Sequence, residues 1–140
     1  MDQTEIERRL RQVPLFSAMT EPAIRAIAEL VEPEAFAPGA TLIEEGQPGD
    51  AFLVVTAGTA EVRRGGSALR QVGAGDFLGE ISLIDGKPRT ATVTATSPVA
   101  ALILRRDAFL GLVDRFPSVR LGVLMALTER IRADAKRATD

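Results

Sequence analysis

Phe77-Leu78-Gly79-Glu80-Ile81-Ser82-Leu83-Ile84-Asp85-Gly86-Lys87-Pro88-Arg89-Thr90-Ala91-Thr92-Val93 sets a glycine, a carboxylate and an arginine around a short apolar turn, then passes into an alternating strand. A carboxylate accepts hydrogen bonds from sugar hydroxyls, and an arginine fork matches a phosphate. Between them, Ile81-Ser82-Leu83-Ile84 reads as a short helical turn whose free N–H groups also face an anion. Together these residues describe a pocket for a phosphorylated sugar.

Outward from this stretch, residues 35–105 read as short strands. Ten of the twelve glycines fall between Gly39 and Gly86 and break the zone every few residues. Compact apolar runs such as Ala51-Phe52-Leu53-Val54-Val55 lie between them, and Gly46, Gly49 and Gly58 read as turn glycines needing a positive φ. In Ala91-Thr92-Val93-Thr94-Ala95-Thr96 the alternation is strict and β-branched residues are enriched. Strands this short and closely spaced favour a barrel or sandwich over a βαβ sheet.

Helices flank the β zone. Residues 1–32 read as a helical pair: Ile6, Leu10 and Val13 recur at helical spacing until Pro14, then Thr20 caps a second helix with Ile24, Ile27, Ala28 and Val31 on one face. In residues 106–140, Phe109, Leu112, Val113 and Phe116 form a stripe that stops before Pro117. A longer helix follows, with Val119, Val123, Leu127, Ile131 and Ala135 spaced by four and Leu124 widening a face expected to be mostly core. The expected fold is mostly β with flanking helices, a jelly-roll-like β-roll or barrel between an N-terminal helical pair and two C-terminal helices. Residues 1–140 are expected to form one domain.

Composition narrows the chemistry. The chain has 140 residues, ample for one core, and its net charge of −2 offers no general attraction to nucleic acid. Cysteine and histidine are both absent. That removes thiolate nucleophiles, the commonest neutral-pH general base and the commonest transition-metal ligand. The only aromatics are six phenylalanines, mostly at core spacing, so base-stacking platforms for single strands are not expected. No apolar run approaches a membrane span and the first residues do not resemble a signal peptide. A cytoplasmic binding protein is expected, without catalytic residues, metal or cofactor.

These residues resemble the cyclic nucleotide-binding domain family, shared by the catabolite activator protein, the regulatory subunits of cAMP-dependent kinase and many gated ion channels. Leu42 to Val55 is similar to the family's first glycine-marked hairpin, with Gly58 continuing it, and Gly79 to Val93 to its phosphate-binding cassette. The resemblance covers nearly the whole chain and implies a sensor for cAMP or cGMP, with a cassette over residues 77–93. It places Phe77, Leu78, Gly79, Glu80, Ile81, Ser82, Arg89, Thr90 and Ala91 at the ligand. Glu80 would take the ribose 2′-hydroxyl and Arg89 the cyclic phosphate, while Gly79, Ser82 and Ala91 keep the approach open.

Thr90 bears on base choice, since its hydroxyl can accept from the guanine amino group that adenine lacks. Arg130 and Asp134, four apart on the last helix, are candidate base contacts by the family pattern. cAMP is the expected ligand, ahead of cGMP. Occupancy would be relayed through the C-terminal helices to an effector protein or domain, and a homodimer seam along those helices stays open. The alternative is a relative that has lost its ligand and serves as a dimerisation or interaction module. A cyclic dinucleotide would need a second arginine beside Arg89, with Arg63, Arg64 and Arg70 available.

Overall fold

The computed structural model describes residues 1–139, and their side chains except at Glu80, Ile81, Leu83, Arg130, Asp134 and positions 137–139. Eight strands form the β zone: β1 (Glu32–Phe36), β2 (Thr41–Ile43), β3 (Ala51–Ala57), β4 (Thr59–Arg64), β5 (Ser67–Gly73), β6 (Phe77–Leu78), β7 (Thr92–Ala95) and β8 (Val99–Arg105). They make two antiparallel four-stranded sheets, ordered β1-β8-β3-β6 and β2-β7-β4-β5. The expected β-roll is therefore present as two facing sheets.

The core between the sheets follows from the pleat, which sends alternate side chains to one face. Leu53, Val55, Ala101 and Ile103 from one sheet meet Ala60, Val62, Val93 and Ala95 from the other. β3 and β8 also bury the residues in between, Phe52, Val54, Leu102 and Leu104. A strand buried on both faces loses its polar alternation, which is why Ala51–Val55 reads as a continuous apolar run. β4 and β7 keep one wetter face and retain the alternation.

The helices are α1 (Gln3–Arg11), α2 (Pro14–Ser17), α3 (Glu21–Leu30), α4 (Glu80–Asp85), α5 (Arg106–Arg115) and α6 (Pro117–Thr139). The chain divides into two compact units, Met1–Glu29 with Gly111–Asp140, and Leu30–Leu110. The N-terminal zone holds three helices where two were expected. Pro14 opens α2 at its first position, where its missing N–H costs nothing, instead of merely ending α1. Thr20 does cap α3, its hydroxyl accepting from Ala23 N at 3.4 Å. Ile24, Ile27 and Ala28 are buried as expected, whereas Val31 is buried just beyond the helix end.

The apolar row of α6 departs from expectation. Val119 is fully buried and Gly122 allows α6 close against α2, since a Cβ there would meet Leu15 O at 3.1 Å. Ile131 and Leu124, expected in the core, are 67% and 60% exposed, and Leu121 and Met125 are exposed beside them. Residues four apart advance about 40° more than one full turn, so a row spaced by four spirals off the packed face.

Candidate functional site

The cassette is built on two strands of the roll. β6 lays Phe77 opposite Val54 and Leu78 opposite Leu53 on β3. Leu78 enters the core, and the Phe77 ring tilts against Phe52 at 5.8 Å between centroids. The chain then turns at Gly79, whose φ of 86° is left-handed, and starts α4 at Glu80. Gly86, also left-handed, ends α4, its N–H donating to Ser82 O at 2.8 Å.

Arg89 is the centre of the site. It is only 8% exposed, although arginine is rarely buried so deeply without specific partners. Its backbone is held on both sides: its N–H donates to Gln47 O at 2.8 Å, and its carbonyl accepts from Gly46 N at 2.9 Å. Pro48 and Pro88 form an isolated bridge beside these bonds. The guanidinium Nη2 donates to Ala51 O, where β3 begins. A Cβ at Gly79 would lie 2.5 Å from Arg89 Nη1 and 2.9 Å from Ala51 O. The positive φ and the absent side chain at Gly79 thus serve one purpose, the close passage of the chain over Arg89.

The other expected residues fall around this point. Ser82 is buried, and a Cβ at Gly49 would sit 2.0 Å from Ser82 Cβ. Gly49 is therefore a close-approach glycine: it is not among the positive-φ glycines, which corrects its reading as a turn residue. Gly46 and Gly58 do have positive φ. Ala91 is partly buried against the core, and Thr90 is exposed at the exit of the cassette. The side chains of Glu80 and Ile81, and of Arg130 and Asp134 on α6, lie outside the described residues.

Several contributors were not read from the sequence. Gly46, Gln47 and Ala51 act through backbone atoms, which carry no residue-type signal. Among the three further arginines, Arg63 is engaged by Glu61 and by Gly66 O. Arg70 stands opposite Val62 on the edge strand β5, and Arg64 Nε donates to Thr90 O at 3.0 Å. A separate cavity of about 400 Å³ lies on the α5 side. Among the described residues it is lined by Pro48, Gly49, Asp50, Gly86, Leu110 and residues 105–107, and none of the expected ligand residues whose side chains are described is among these. No group of metal-ligating side chains occurs among the described residues, and none of their helices is long and apolar enough to cross a membrane.

The sequence that builds these two sheets and the glycine turn over the buried arginine matches the cyclic nucleotide-binding domain model across residues 33–116. The chain belongs to the cyclic nucleotide-binding domain family. It is 36% identical over 126 residues to a cAMP-dependent protein kinase regulatory subunit of Hypocrea atroviridis, covering 84% of this chain and 27% of that protein. It is 28% identical over 136 residues to a CRP-like cAMP-activated global transcriptional regulator of Mycobacterium tuberculosis, covering 94% of this chain and 61% of the relative. The chain thus spans less than two thirds of either protein. Among solved structures, the N-terminal domain of a transcriptional regulator from Streptomyces coelicolor A3(2) superposes with a TM-score of 0.80 at 34% identity, covering 90% of this chain and 94% of that one. As a domain of this family, the chain is a binding module and not an enzyme.

Proposed function

We propose that this domain is a cAMP sensor in which Arg89 anchors the cyclic phosphate and Glu80 takes the ribose 2′-hydroxyl. The observation that carries the reading is the burial of Arg89 on a backbone fixed at both its N–H and its carbonyl. A guanidinium held this way presents a directional fork suited to the single negative charge of a phosphodiester. Gly79, Ser82 and Ala91 leave room for the ligand's close approach, and Phe77, Leu78 and Ile81 complete the cassette. cAMP is favoured over cGMP because the kinase regulatory subunit and the transcriptional regulator it resembles are both described as cAMP-responsive. Thr90, with Arg130 and Asp134, bears on the base.

Occupancy passes to the C-terminal helices through Arg106, the first residue of α5. Its N–H donates to Asp50 O at 2.8 Å, and its guanidinium donates to Ile84 O at 3.2 Å near the end of the cassette helix. A shift of α4 on ligand binding would be felt directly at the start of α5. Such coupling requires two states of different ligand affinity. The effector is a protein or a further domain, acting in the cytoplasm. Titration of nucleotide-free protein with cAMP and cGMP tests the reading: tighter, saturable binding of cAMP supports it.

One observation favours the alternative of a ligand-free interaction module. Leu121, Leu124, Met125 and Ile131 expose an apolar row on α6 suited to a second copy of the chain. Sedimentation with and without nucleotide separates the readings: a dimer indifferent to nucleotide, with no binding, supports the module.

A further inference from the structure

We infer that Arg64 is a positioning residue that sets which purine base the cassette accepts, acting through Thr90; the inference rests on the cyclic nucleotide reading above. The β4–β7 ladder pairs Arg63 with Thr92 at its end. Beyond it, the Thr90 carbonyl on the exit segment is met by a side chain in place of a strand, Arg64 Nε at 3.0 Å. The β4–β5 turn is itself tied to the preceding loop, since Gly65 N donates to Glu45 Oε1 at 3.2 Å. Glu45 N in turn donates to the Thr92 hydroxyl at 3.0 Å.

The exit of the cassette is therefore gripped from two loops. Gly46 and Gln47 hold Arg89, Glu45 holds Thr92, and Arg64 holds Thr90 between them. Holding the Thr90 carbonyl restrains the backbone of Thr90 and with it the direction of its Cα–Cβ bond. The Thr90 Cβ and the Arg89 backbone are then kept in one relative position, which narrows the orientations open to the Thr90 hydroxyl. A guanine amino group donating to that hydroxyl depends on this orientation, whereas adenine has no amino group at that position. Arg64 thus supports the discriminating contact more than the shared phosphate contact.

The test is titration of the full chain with cAMP and cGMP in wild type, Arg64→Met, Arg64→Lys, Thr90→Ala and the Arg64→Met/Thr90→Ala double variant. Arg64 is exposed, so its substitution leaves the fold intact, which an unchanged melting temperature checks. Arg64→Met is expected to weaken cGMP roughly fivefold or more and cAMP less than about twofold. In the Thr90→Ala background the same substitution is expected to leave the ratio of the two affinities unchanged. Equal weakening of both nucleotides by Arg64→Met, restored by Arg64→Lys, would show an effect of charge on the anion and overturn the positioning role. Wild type that binds, with Arg64→Met unaltered for both ligands, overturns the role of Arg64 alone. Wild type that binds neither nucleotide overturns the sensor reading together with it.

Discussion

Gly79 and Arg89 are ten positions apart in sequence, yet a Cβ on the first would lie 2.5 Å from Nη1 of the second. The turn that starts the cassette helix and the arginine that follows it are thereby parts of one construction. Gly79→Ala meets two obstacles at once, a left-handed φ of 86° and a side chain driven into the guanidinium. The backbone conformation alone costs about 1–2 kcal/mol. Displacement of Arg89 should add a loss of nucleotide affinity larger than the loss of stability implies, measurable by calorimetric titration beside a thermal melt.

Arg89 should separate charge from geometry. Arg89→Ala removes the cation and leaves the Ala51 carbonyl without its guanidinium donor, so about 2–5 kcal/mol of nucleotide binding should disappear. Arg89→Lys keeps the charge but not the planar fork, and affinity should still fall about tenfold or more. A lysine variant that binds as tightly as wild type would show that charge alone suffices.

Gly49 offers a test by compensation. Gly49→Ala places a methyl group 2.0 Å from Ser82 Cβ and 2.6 Å from its hydroxyl oxygen, forcing the segment before β3 away from α4. The variant should lose about 1–3 kcal/mol of stability. Ser82→Gly in the same chain should return part of it, although the contact with Lys87 O at 2.9 Å persists. Denaturant unfolding of both variants checks the order.

The two sides of α6 should respond oppositely. Val119→Ala creates a void at a fully buried position and should cost about 2 kcal/mol. Leu124→Gln and Ile131→Gln, both at exposed positions, should stay within about 0.5 kcal/mol of wild type in dilute solution. A large loss there, rising with protein concentration, would reveal a second copy packed on this face.

Much of this architecture was legible in the sequence because each signal had one local cause. The alternation of Thr92–Ala95 comes from a strand with one wetter face, and the unbroken Ala51–Val55 run from one buried on both. Gly79, Glu80 and Arg89 stand out because residue type and spacing together suit the proposed phosphate site. Gly49 could not be resolved that way, since a glycine kept for a contact with Ser82 looks like one kept for its φ. The floor under Arg89, made by Gln47 and Ala51 carbonyls and the Gly46 N–H, uses atoms that every residue has. The α6 row misled because spacing by four mimics a packed face for two turns and then leaves it.

The central claim, that Arg89 anchors a cyclic nucleotide, is tested most directly by isothermal titration of cAMP and cGMP into nucleotide-free wild type and Arg89→Ala. Saturable one-to-one binding to wild type, tighter for cAMP and weakened by about 2–5 kcal/mol in the variant, is the predicted result. Absence of binding to folded wild type, or equal binding to both proteins, would contradict it.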